Sequence, residues 1–466
     1  MVQSQMKPRV IVVGAGPAGT RCAETLVKAG IRPTIIDEGP NNGGQIYRRQ
    51  PHNFTRSYKT LYGSEAARAK SVHHSFDAID KDIDYLPETL IWNIADGHVF
   101  AVSNNKQQVI PFDALILCTG TTDRLMPLKG WNLAGTFSMG GAQVALKSQA
   151  CAIGRQVVFL GTGPLLYLVA AQYAKAGAGV AAVLDTSSWF GRVKAATKLL
   201  AQPSVLWKGI SLTADLLRAR VPLYTGVEPL SIEGSAETGV SALTYKNSWG
   251  RTKTIDCDAV AMGYHLRPET QLADLARCDF YFDQPTRQWL PQIDSDGRST
   301  VPGVYLAGDG AHVLGANAAE VSGQIAALAV LDDFGQAGDK DAHNKRLKKL
   351  YKELASLRRF ASGLNQAFPW PAQQAIGLSD DTVLCRCEAV SAGELRRAVC
   401  EAGAQESNRA KAFSRVGMGR CQGRYCGNAA AEIIAHTARL PVEKVGRLRG
   451  QAPVKPLPIA SQEDVK

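Results

Sequence analysis

The sequence of 466 residues is long enough for about three domains, and its 45% hydrophobic content is ordinary for a globular protein. It has no apolar run of about eighteen residues and no signal peptide, which excludes a bilayer-spanning helix and predicts a cytoplasmic protein. Because the net charge of +11 comes without a stripe of interleaved aromatic residues, it favours an acidic protein partner or a membrane surface over nucleic acid.

A nucleotide-binding motif follows the first predicted strand. Residues 9–13 form a continuous apolar run, typical of a buried parallel strand, and G-x-G-x-x-G comes directly after it. The residues that we expect around a pyrophosphate are Gly14, Gly16, Pro17, Ala18 and Gly19. The glycines permit a tight turn, and the helix that follows points its N-terminus at the phosphates. A second strand ends in Asp37 and Glu38, and we expect Glu38, with Asp37 as second choice, to hold a ribose hydroxyl.

Three later segments indicate which nucleotide this site takes. They are Gly-Gly-Gln at 43–45, a strand ending in Thr-Gly at 119–120, and a strand followed by Gly-Asp at 308–309. With the glycine turn, they resemble the two-dinucleotide-domain flavoprotein superfamily, in the branch near thioredoxin reductase. The resemblance implies an α/β fold with two Rossmann-like domains that binds FAD. The residues that it adds to the FAD site are Gly44, Gln45, Thr119, Gly120, Gly308 and Asp309.

The sequence departs from the disulfide reductases of that superfamily. No cysteine lies near residues 43–45, and none of the ten cysteines forms C-x2-C, so we predict no thiol–disulfide chemistry. We expect Cys118 and Cys151 to be core residues, and His265 and His312 to be satisfied loop histidines rather than a lining for the flavin. The sequence shows no recognisable catalytic triad or paired-carboxylate arrangement, so we assign no catalytic residues.

A second nucleotide-type domain has an altered motif. The strand at 156–160 is followed by a glycine turn whose third position is Leu166, so we expect its helix to stand off or shift. The residues of this second site are Gly161, Gly163, Pro164 and Asp185. These residues are compatible with binding of an adenine nucleotide, either ATP or an NAD-like molecule.

An unexpected segment, residues 187–221, has apolar residues at helical spacing. It is either a helical pair packed on the domain surface or on a neighbouring subunit, or a cover over the nicotinamide position. We favour a structural insert combined with impaired use of nicotinamide.

Four cysteines near the C-terminus have a spacing that indicates a metal centre. Cys385 and Cys387 form C-x-C, and after thirty-three intervening residues Cys421 and Cys426 form C-x4-C. A reducing compartment disfavours disulfides, and a C-x-C pair fits structural zinc poorly. The C-x4-C spacing is known among [2Fe–2S] ligands, so an iron–sulfur cluster is favoured over zinc.

The surroundings of these cysteines carry a family resemblance. The segments VLCRCEAVSAGEL and GMGRCQGRYCGNAA, within residues 381–440, resemble the bacterioferritin-associated-ferredoxin-like [2Fe–2S] domain, a small helical module. Cys400 lies outside the pattern, in a helix opened by Ser391 and Glu394, and is expected to be buried. The residues expected to turn close to sulfur or to offset its charge are Gly417, Gly419, Gly423, Gly427, Arg386, Arg420 and Arg424.

The predicted domain limits follow from these motifs. They are 1–125 and 269–336 for the two parts of the FAD domain, 126–268 for the second nucleotide-type domain, 337–380 for a helical linker, 381–440 for the [2Fe–2S] module and 441–466 for an extended tail. We expect the linker to be a semi-rigid bridge that holds the module near the flavin.

This order of domains resembles the alpha subunit of heteromeric amino-acid and opine dehydrogenases, such as octopine and nopaline oxidases, D-hydroxyproline and L-proline dehydrogenases and hydrogen cyanide synthase. The resemblance implies an amino-acid-oxidase-like beta subunit with its own FAD that oxidises a C–N bond, and an optional small gamma subunit. Electrons would then pass through this chain to a respiratory acceptor such as a quinone, at the inner face of the membrane. The alternatives are a self-contained NAD(P)H-dependent reductase and a scaffold protein with vestigial cofactor sites.

Overall fold

Two parallel five-stranded sheets form from the apolar runs of the chain in this computed structural model, which describes residues 7–51, 53 and 55–458. Up to the first crossing between the sheets, the elements are β1 (Val10–Val13), α1 (Pro17–Lys28), β2 (Thr34–Ile36), α2 (Tyr58–Tyr62), α3 (Ala66–Ala78), β3 (Asp84–Leu86), β4 (Leu90–Ala95), β5 (His98–Ser103), β6 (Lys106–Pro111), β7 (Ala114–Leu117) and β8 (Thr121–Asp123). Strands β1 and β7 are buried at every residue, as expected for strands covered on both faces.

The second sheet follows without interruption. Its region contains β9 (Thr136–Ser138), α4 (Met139–Ser148), β10 (Val157–Thr162), α5 (Pro164–Lys175), β11 (Val180–Asp185), α6 (Trp189–Leu199), α7 (Pro203–Arg218), β12 (Leu223–Thr225), β13 (Glu228–Ser235), β14 (Gly239–Lys246), β15 (Thr252–Asp256), β16 (Ala259–Tyr264) and β17 (Leu266–Pro268). Its order is β12-β11-β10-β16-β9. The strand order therefore reverses beside β10, where open α/β sheets form a ligand crevice.

The chain then returns to the first sheet. The elements of this return are α8 (Gln271–Leu275), β18 (Phe280–Asp283), β19 (Gln288–Pro291), β20 (Val304–Leu306), α9 (Ala316–Asp333), α10 (Lys340–Ala367) and α11 (Ala372–Ile376). Strand β20 completes the order β20-β7-β1-β2-β3, and β17 pairs with β8 at the crossing between the sheets. This topology confirms the predicted α/β class with two Rossmann-like units.

The C-terminal region folds as a small, mainly helical module. Its elements are β21 (Val383–Cys385), β22 (Val390–Ser391), α12 (Ala392–Ala402), α13 (Ser407–Ser414), α14 (Gly427–Ala438) and α15 (Val442–Val445). The predicted capping box of Ser391 and Glu394 opens α12. The chain then runs back over the first sheet's domain, where the side chain of Val454 is buried. Residues 459–466 of the predicted tail lie outside the described residues.

Several predictions about single residues meet their outcome here. Cys118 is buried as expected, but Cys151 is exposed because it lies in the loop after α4. The burial predicted for Cys400 is also wrong: α12 buries Leu395 and Val399, and Cys400 points away from that face. Leu166 is 1% exposed and fills part of the core beneath α5.

Residues 187–221 do form a helical pair. Helix α6 packs on α10 through Ala195 and Leu199, while α7 packs on α5 and buries Leu216. The pair therefore lies on the domain surface, as the first of the two readings predicted. Within the part of the chain that the structure describes, none of these helices is long and apolar enough to cross a membrane.

Helices α1 and α9 touch at a glycine, which generates a stability prediction. A Cβ atom on Gly323 would lie 2.1 Å from the carbonyl oxygen of Ala18. Gly323→Ala must therefore push the helices apart, and we expect it to lower the free energy of unfolding by about 1–3 kcal/mol, measured as a fall in the thermal midpoint.

Gly209→Ala is the matched control, because a Cβ atom there meets nothing within 4 Å on the exposed side of α7. It should stabilise the helix by up to about 1 kcal/mol. Equal midpoints for the two variants would contradict the close packing of α1 and α9.

Candidate functional site

The predicted pyrophosphate turn between β1 and α1 requires glycine at two of its three glycine positions. A Cβ atom on Gly14 would lie 2.4 Å from the carbonyl oxygen of Cys118, and one on Gly19 would lie 1.8 Å from that of Gly14. Gly16 faces Gly44, whose added Cβ would approach its Cα to 3.0 Å. The turn and the Gly-Gly-Gln segment therefore form two bare backbone walls, as a bound dinucleotide requires.

The two acidic residues after β2 have different environments. The carboxylate of Asp37 accepts hydrogen bonds of 2.6 Å from the N–H groups of Ala15 and Gly39, and burial raises its pKa. Glu38 is exposed and forms an ion pair with Lys455 of the C-terminal segment. Asp37 thus orders the loop, whereas the exposed Glu38 carboxylate pairs with Lys455, and its role at a ribose stays a prediction.

The Thr-Gly turn lies beside the Gly-Asp turn. A Cβ atom on Gly310 would meet the Thr119 hydroxyl at 2.5 Å, whereas Gly120, at a φ of +67°, faces open space. The carboxylate of Asp309 accepts hydrogen bonds of 2.9 Å from the N–H groups of Leu314 and Gly315, at the start of α9. Burial raises the pKa of Asp309 to about 6.

Two further predicted positions complete this cleft. Gly308 packs against Ala18 of α1, since an added Cβ would lie 2.8 Å from the Ala18 Cβ atom. Gln45 is exposed, and its side-chain oxygen accepts a 2.6 Å hydrogen bond from Arg48. The structure therefore gathers the predicted FAD residues along one cleft at the carboxyl ends of β1, β7 and β20, and their fit to FAD rests on its glycine walls.

The four cysteines approach one another as two pairs. The Cys426 thiol interacts with Cys385 and lowers the pKa of the Cys385 thiol to about 6, while the side chain of Cys421 interacts with Cys387. Backbone N–H groups of Gly417, Glu388 and Cys387 point at the Cys385 sulfur, and those of Tyr425 and Gly423 at Cys421. Four thiols with amide donors to sulfur are a donor set that fits a [2Fe–2S] cluster.

No three His, Cys, Asp or Glu side chains within the described ranges already surround a single metal position. The glycines behave as predicted at two points: Gly417 and Gly423 have φ of +78° and +75° and pack together against Leu448. A Cβ atom on Gly419 would lie 2.3 Å from the Cβ atom of Cys387. The backbone therefore passes close to the cysteines.

The charged residues around the cysteines differ in part from those predicted. Arg386 stacks 5.2 Å over the ring of Trp131, and Arg420 is exposed. Arg267, which follows the second sheet, interacts electrostatically with Cys421 and Cys426, although burial lowers its pKa. Sequence reasoning missed Arg267 because its partners lie more than 150 residues further along the chain.

A buried ion pair joins the cysteine loop to the Thr-Gly turn. The guanidinium of Arg424 forms hydrogen bonds of 2.7 and 3.1 Å with the carboxylate of Glu269, and the two side chains are 7% and 13% exposed. The Glu269 carbonyl accepts a 2.6 Å hydrogen bond from the Thr119 hydroxyl, and its N–H donates to the Gly120 carbonyl. Although burial opposes it, Arg424 holds the pKa of Glu269 below its ordinary value.

The crevice of the second sheet is occupied by the chain itself. Phe368 lies beside Tyr167 and His265, with ring centroids 6.5 and 6.1 Å away, and Trp370 packs on Tyr264 at 6.2 Å. These partners stand at the carboxyl end of β16 or on α5, the helix that follows β10, where a nucleotide would bind. The cover that we considered for residues 187–221 is thus supplied mainly by the linker after α10.

Asp185, the residue predicted to bind a ribose in the second site, already has partners within the protein. Asp185 is fully buried, and its carboxylate binds the hydroxyl of Tyr167 at 2.7 Å, the N–H of Ser187 at 2.7 Å and Arg192 at 2.5 Å. The turn itself is intact: Gly161 packs against Gly263, Gly163 faces His265, and Pro164 opens α5. The altered motif therefore keeps the backbone shape of a nucleotide-binding turn, while the Asp185 carboxylate binds groups of the protein itself.

Both histidines have partners, as expected. The Nε2–H of His265 donates to the carbonyl of Phe368 at 2.6 Å, because a carbonyl oxygen only accepts, and desolvation lowers the pKa of His265 to about 4. His312 contacts the hydroxyl of Tyr281 at 2.9 Å, and burial lowers its pKa. The ten cysteines are all free thiols.

Comparison with known proteins agrees with this architecture. The family of pyridine nucleotide-disulphide oxidoreductases matches residues 8–329, and the BFD-like [2Fe-2S] binding domain matches residues 383–436. The chain is therefore a flavoprotein oxidoreductase that binds FAD and a [2Fe–2S] cluster. The structure of L-proline dehydrogenase from P. horikoshii has a similar fold: its TM-score is 0.65 at 17% identity, over 97% of this chain and 78% of that one.

Relatives that match over nearly the whole chain identify the family more specifically. The chain is 35% identical to the A subunit of opine oxidase from Rhizobium meliloti, over 97% of this chain and 86% of the relative, and 34% identical to the one from Agrobacterium tumefaciens, over 97% and 90%. It is 29% identical to the HcnB subunit of hydrogen cyanide synthase from Pseudomonas aeruginosa, over 99% of both. The chain belongs to the family of opine oxidase A subunits.

The paired cysteines generate a prediction about the cluster. Cys426→Ala removes one of four ligands, and we expect the purified protein to lose most of its cluster iron, acid-labile sulfide and visible absorption. Cys400→Ala is the control, because Cys400 is an exposed thiol of the same module. Zinc at the four thiolates after anaerobic purification would refute the iron–sulfur assignment.

Because His265 is desolvated, we predict that the free energy of unfolding depends on pH. Its folded pKa of about 4 lies below the ordinary 6.5, so between these values the unfolded chain binds the proton more strongly. The free energy of unfolding should therefore fall as the pH drops from 6.5 to 4. His265→Gln keeps an N–H donor and should make thermal midpoints less dependent on pH in that window.

His74→Gln provides the control for this titration, because His74 is exposed on α3. Acid loss of the cofactors affects both variants equally, so the comparison isolates His265. A pH profile of His265→Gln that matches both the parent and the control would show that His265 does not titrate as described.

Proposed function

We propose that this chain is the FAD and [2Fe–2S] subunit of a heteromeric dehydrogenase or oxidase. A partner subunit with its own FAD oxidises the C–N bond of an amino acid or opine, and this chain passes the electrons to a respiratory acceptor such as a quinone. A small gamma subunit is an optional further member. The relatives are named as subunits of opine oxidase and of hydrogen cyanide synthase, which supports a role within a multi-subunit enzyme.

The link from Thr119 through Glu269 to Arg424 is the observation that carries this proposal. It fixes the cysteine loop against the turn predicted to cross beside the flavin, which supports two cofactor sites held at one interface. FAD supplies two-electron chemistry when bound, and the cluster supplies single-electron steps. The protein's part is to hold the two groups in place and to set their potentials through burial, amide donors to sulfur and the charge of Arg267.

The roles of individual residues belong to this proposal. The glycine turn, Glu38, Gly44, Gln45, the Thr-Gly turn and Asp309 would hold FAD, and the four cysteines would hold the cluster. We retain the predicted domain limits as well, except that α15 (Val442–Val445) extends the C-terminal module into the predicted tail. The adenine nucleotide of the second domain stays a prediction. To bind its ribose, the Asp185 carboxylate would have to release its present partners Tyr167 and Arg192.

A self-contained NAD(P)H-dependent reductase is the alternative. The occupied crevice argues against it, because Phe368 and Trp370 fill the space where a dinucleotide would lie. Leu166 also replaces the third glycine of the motif. A scaffold with vestigial sites is disfavoured because the glycine walls and all four thiols are present.

Anaerobic reduction distinguishes the two enzymes. We expect NADH and NADPH to leave the flavin absorption of the purified chain unbleached in a stopped-flow experiment. The chain co-purified with the products of neighbouring genes should instead be reduced by a particular amino acid or opine, identified by a screen with an artificial acceptor. Rapid bleaching by NADH, or substrate oxidation by this chain alone, would refute the relay.

Glu269→Gln tests the link itself. It removes the charge that Arg424 faces and should slow cluster reduction in the complex, while oxidation of substrate at the partner's flavin continues with an acceptor that bypasses this chain. Glu228→Gln is the matched control, since Glu228 pairs with Lys246 on the exposed small sheet, away from the cysteines. Equal rates of cluster reduction in both variants would remove Glu269 from the relay.

A further inference from the structure

The helical pair α6–α7 exposes an unusual amount of apolar surface. Of the fifteen large hydrophobic side chains exposed in the described residues, seven fall between residues 189 and 217. They are Trp189, Phe190, Val193, Leu200, Trp207, Ile210 and Leu217, each between 50% and 78% exposed. Such a cluster, which we call the outer face, is a sign of an interaction site, because exposed hydrophobic residues are otherwise scattered singly.

The outer face is not needed to hold the pair in place. Helix α6 is anchored from its inner side by Ala195 and Leu199, which pack with Phe360 of α10, and α7 by Leu216. On α6, Trp189 and Val193 repeat at helical spacing on the opposite side, and Leu200, which caps the helix, continues the same face. On α7, Trp207, Ile210 and Leu217 do the same. Each helix therefore has one apolar stripe for the fold and a second one directed outward.

The charge around the outer face indicates the kind of partner. Residues 187–221 contain six Lys and Arg and one Asp. Three of the cations form ion pairs with acids, Arg192 with Asp185, Lys208 with Glu65 and Arg218 with Asp215, which leaves a net charge of +3 on this segment and its ion-pair partners. Lys194 and Arg218 are exposed beside the apolar stripes, and the Arg218 side chain is 78% exposed. A second copy would bring two positive faces together, so an anionic surface is the complementary partner.

The composition of the stripes favours lipid over an acidic protein. A protein interface forms about one hydrogen bond per 100–200 Å², but these stripes offer only the indole N–H groups of Trp189 and Trp207. Aromatic and aliphatic side chains flanked by Lys and Arg are typical of helices that lie in the headgroup region of a membrane. Indole rings suit that boundary because one edge stays polar.

We propose that the outer face of α6–α7 binds the surface of an anionic phospholipid membrane, with both helices lying parallel to it. The inference extends the proposed function, because an acceptor such as a quinone is dissolved in that membrane. It names the surface that would bring the chain to its acceptor.

Flotation with lipid vesicles tests the proposal on the full chain carrying its FAD and cluster. We expect the parent protein to bind vesicles of phosphatidylglycerol and phosphatidylcholine. The double variant Trp189→Ser/Trp207→Ser should bind them at least about tenfold more weakly. Lys194→Glu should weaken binding about fivefold, and added salt should weaken it further. Trp249→Ser is the matched control, because Trp249 is 85% exposed in the turn between β14 and β15 and should leave binding unchanged.

Flavin and cluster absorption show that each variant is folded. The proposal is overturned if the parent does not float, if the double variant floats like the parent, or if neutral phosphatidylcholine vesicles bind equally well. It is also overturned if the double variant keeps its lipid binding but no longer co-purifies with the partner subunit, since the face would then be a protein interface. Because vesicle binding requires no electron transfer, its failure leaves the proposed relay standing.

Discussion

The contact between Glu269 and Arg424 is the constraint on which the arrangement of the molecule depends. One member follows the second sheet, directly after the strand β17 that returns the chain to the first sheet, and the other lies between two cysteines of the C-terminal module. A pair this deeply buried is costly to separate, since either partner alone would be an uncompensated charge in a low dielectric. The module is therefore docked in a defined orientation, and the distance between the two predicted cofactor sites becomes a property of the fold.

Other contacts reinforce this docking from both sides. Arg287 pairs with Glu432 of α14, and the carboxylate of Asp274 accepts hydrogen bonds from Arg447. The C-terminal segment adds a third connection where Val454 enters the core of the first domain. A mobile electron-carrier domain would be expected to show a small and wet interface. The network of buried charges here indicates a fixed one.

The second sheet keeps a nucleotide-binding fold whose crevice holds aromatic side chains of the chain itself. Gly161 and Gly163 keep the turn of a nucleotide-binding motif, but Asp185 binds Tyr167 and Arg192, and the linker inserts Phe368 into the crevice. The domain then serves as a platform that receives the linker and the helical pair α6–α7. Helix α6 contacts the predicted ribose ligand Asp185 through Arg192, and the linker contacts His265 beside the glycine turn.

Features that depend on local spacing can be inferred from the sequence without the structure. The glycine turn after β1, the C-x-C and C-x4-C pairs and the capping box of α12 are short-range patterns, and each follows from the backbone geometry that its residues allow. The tertiary structure alone decided which distant groups meet: Arg267 faces the cysteines, Phe368 fills the second crevice, and Cys151 and Cys400 are exposed. These outcomes depend on which helix faces and loops are brought together across more than a hundred residues, and periodicity within one segment carries no information about the surface that will cover it.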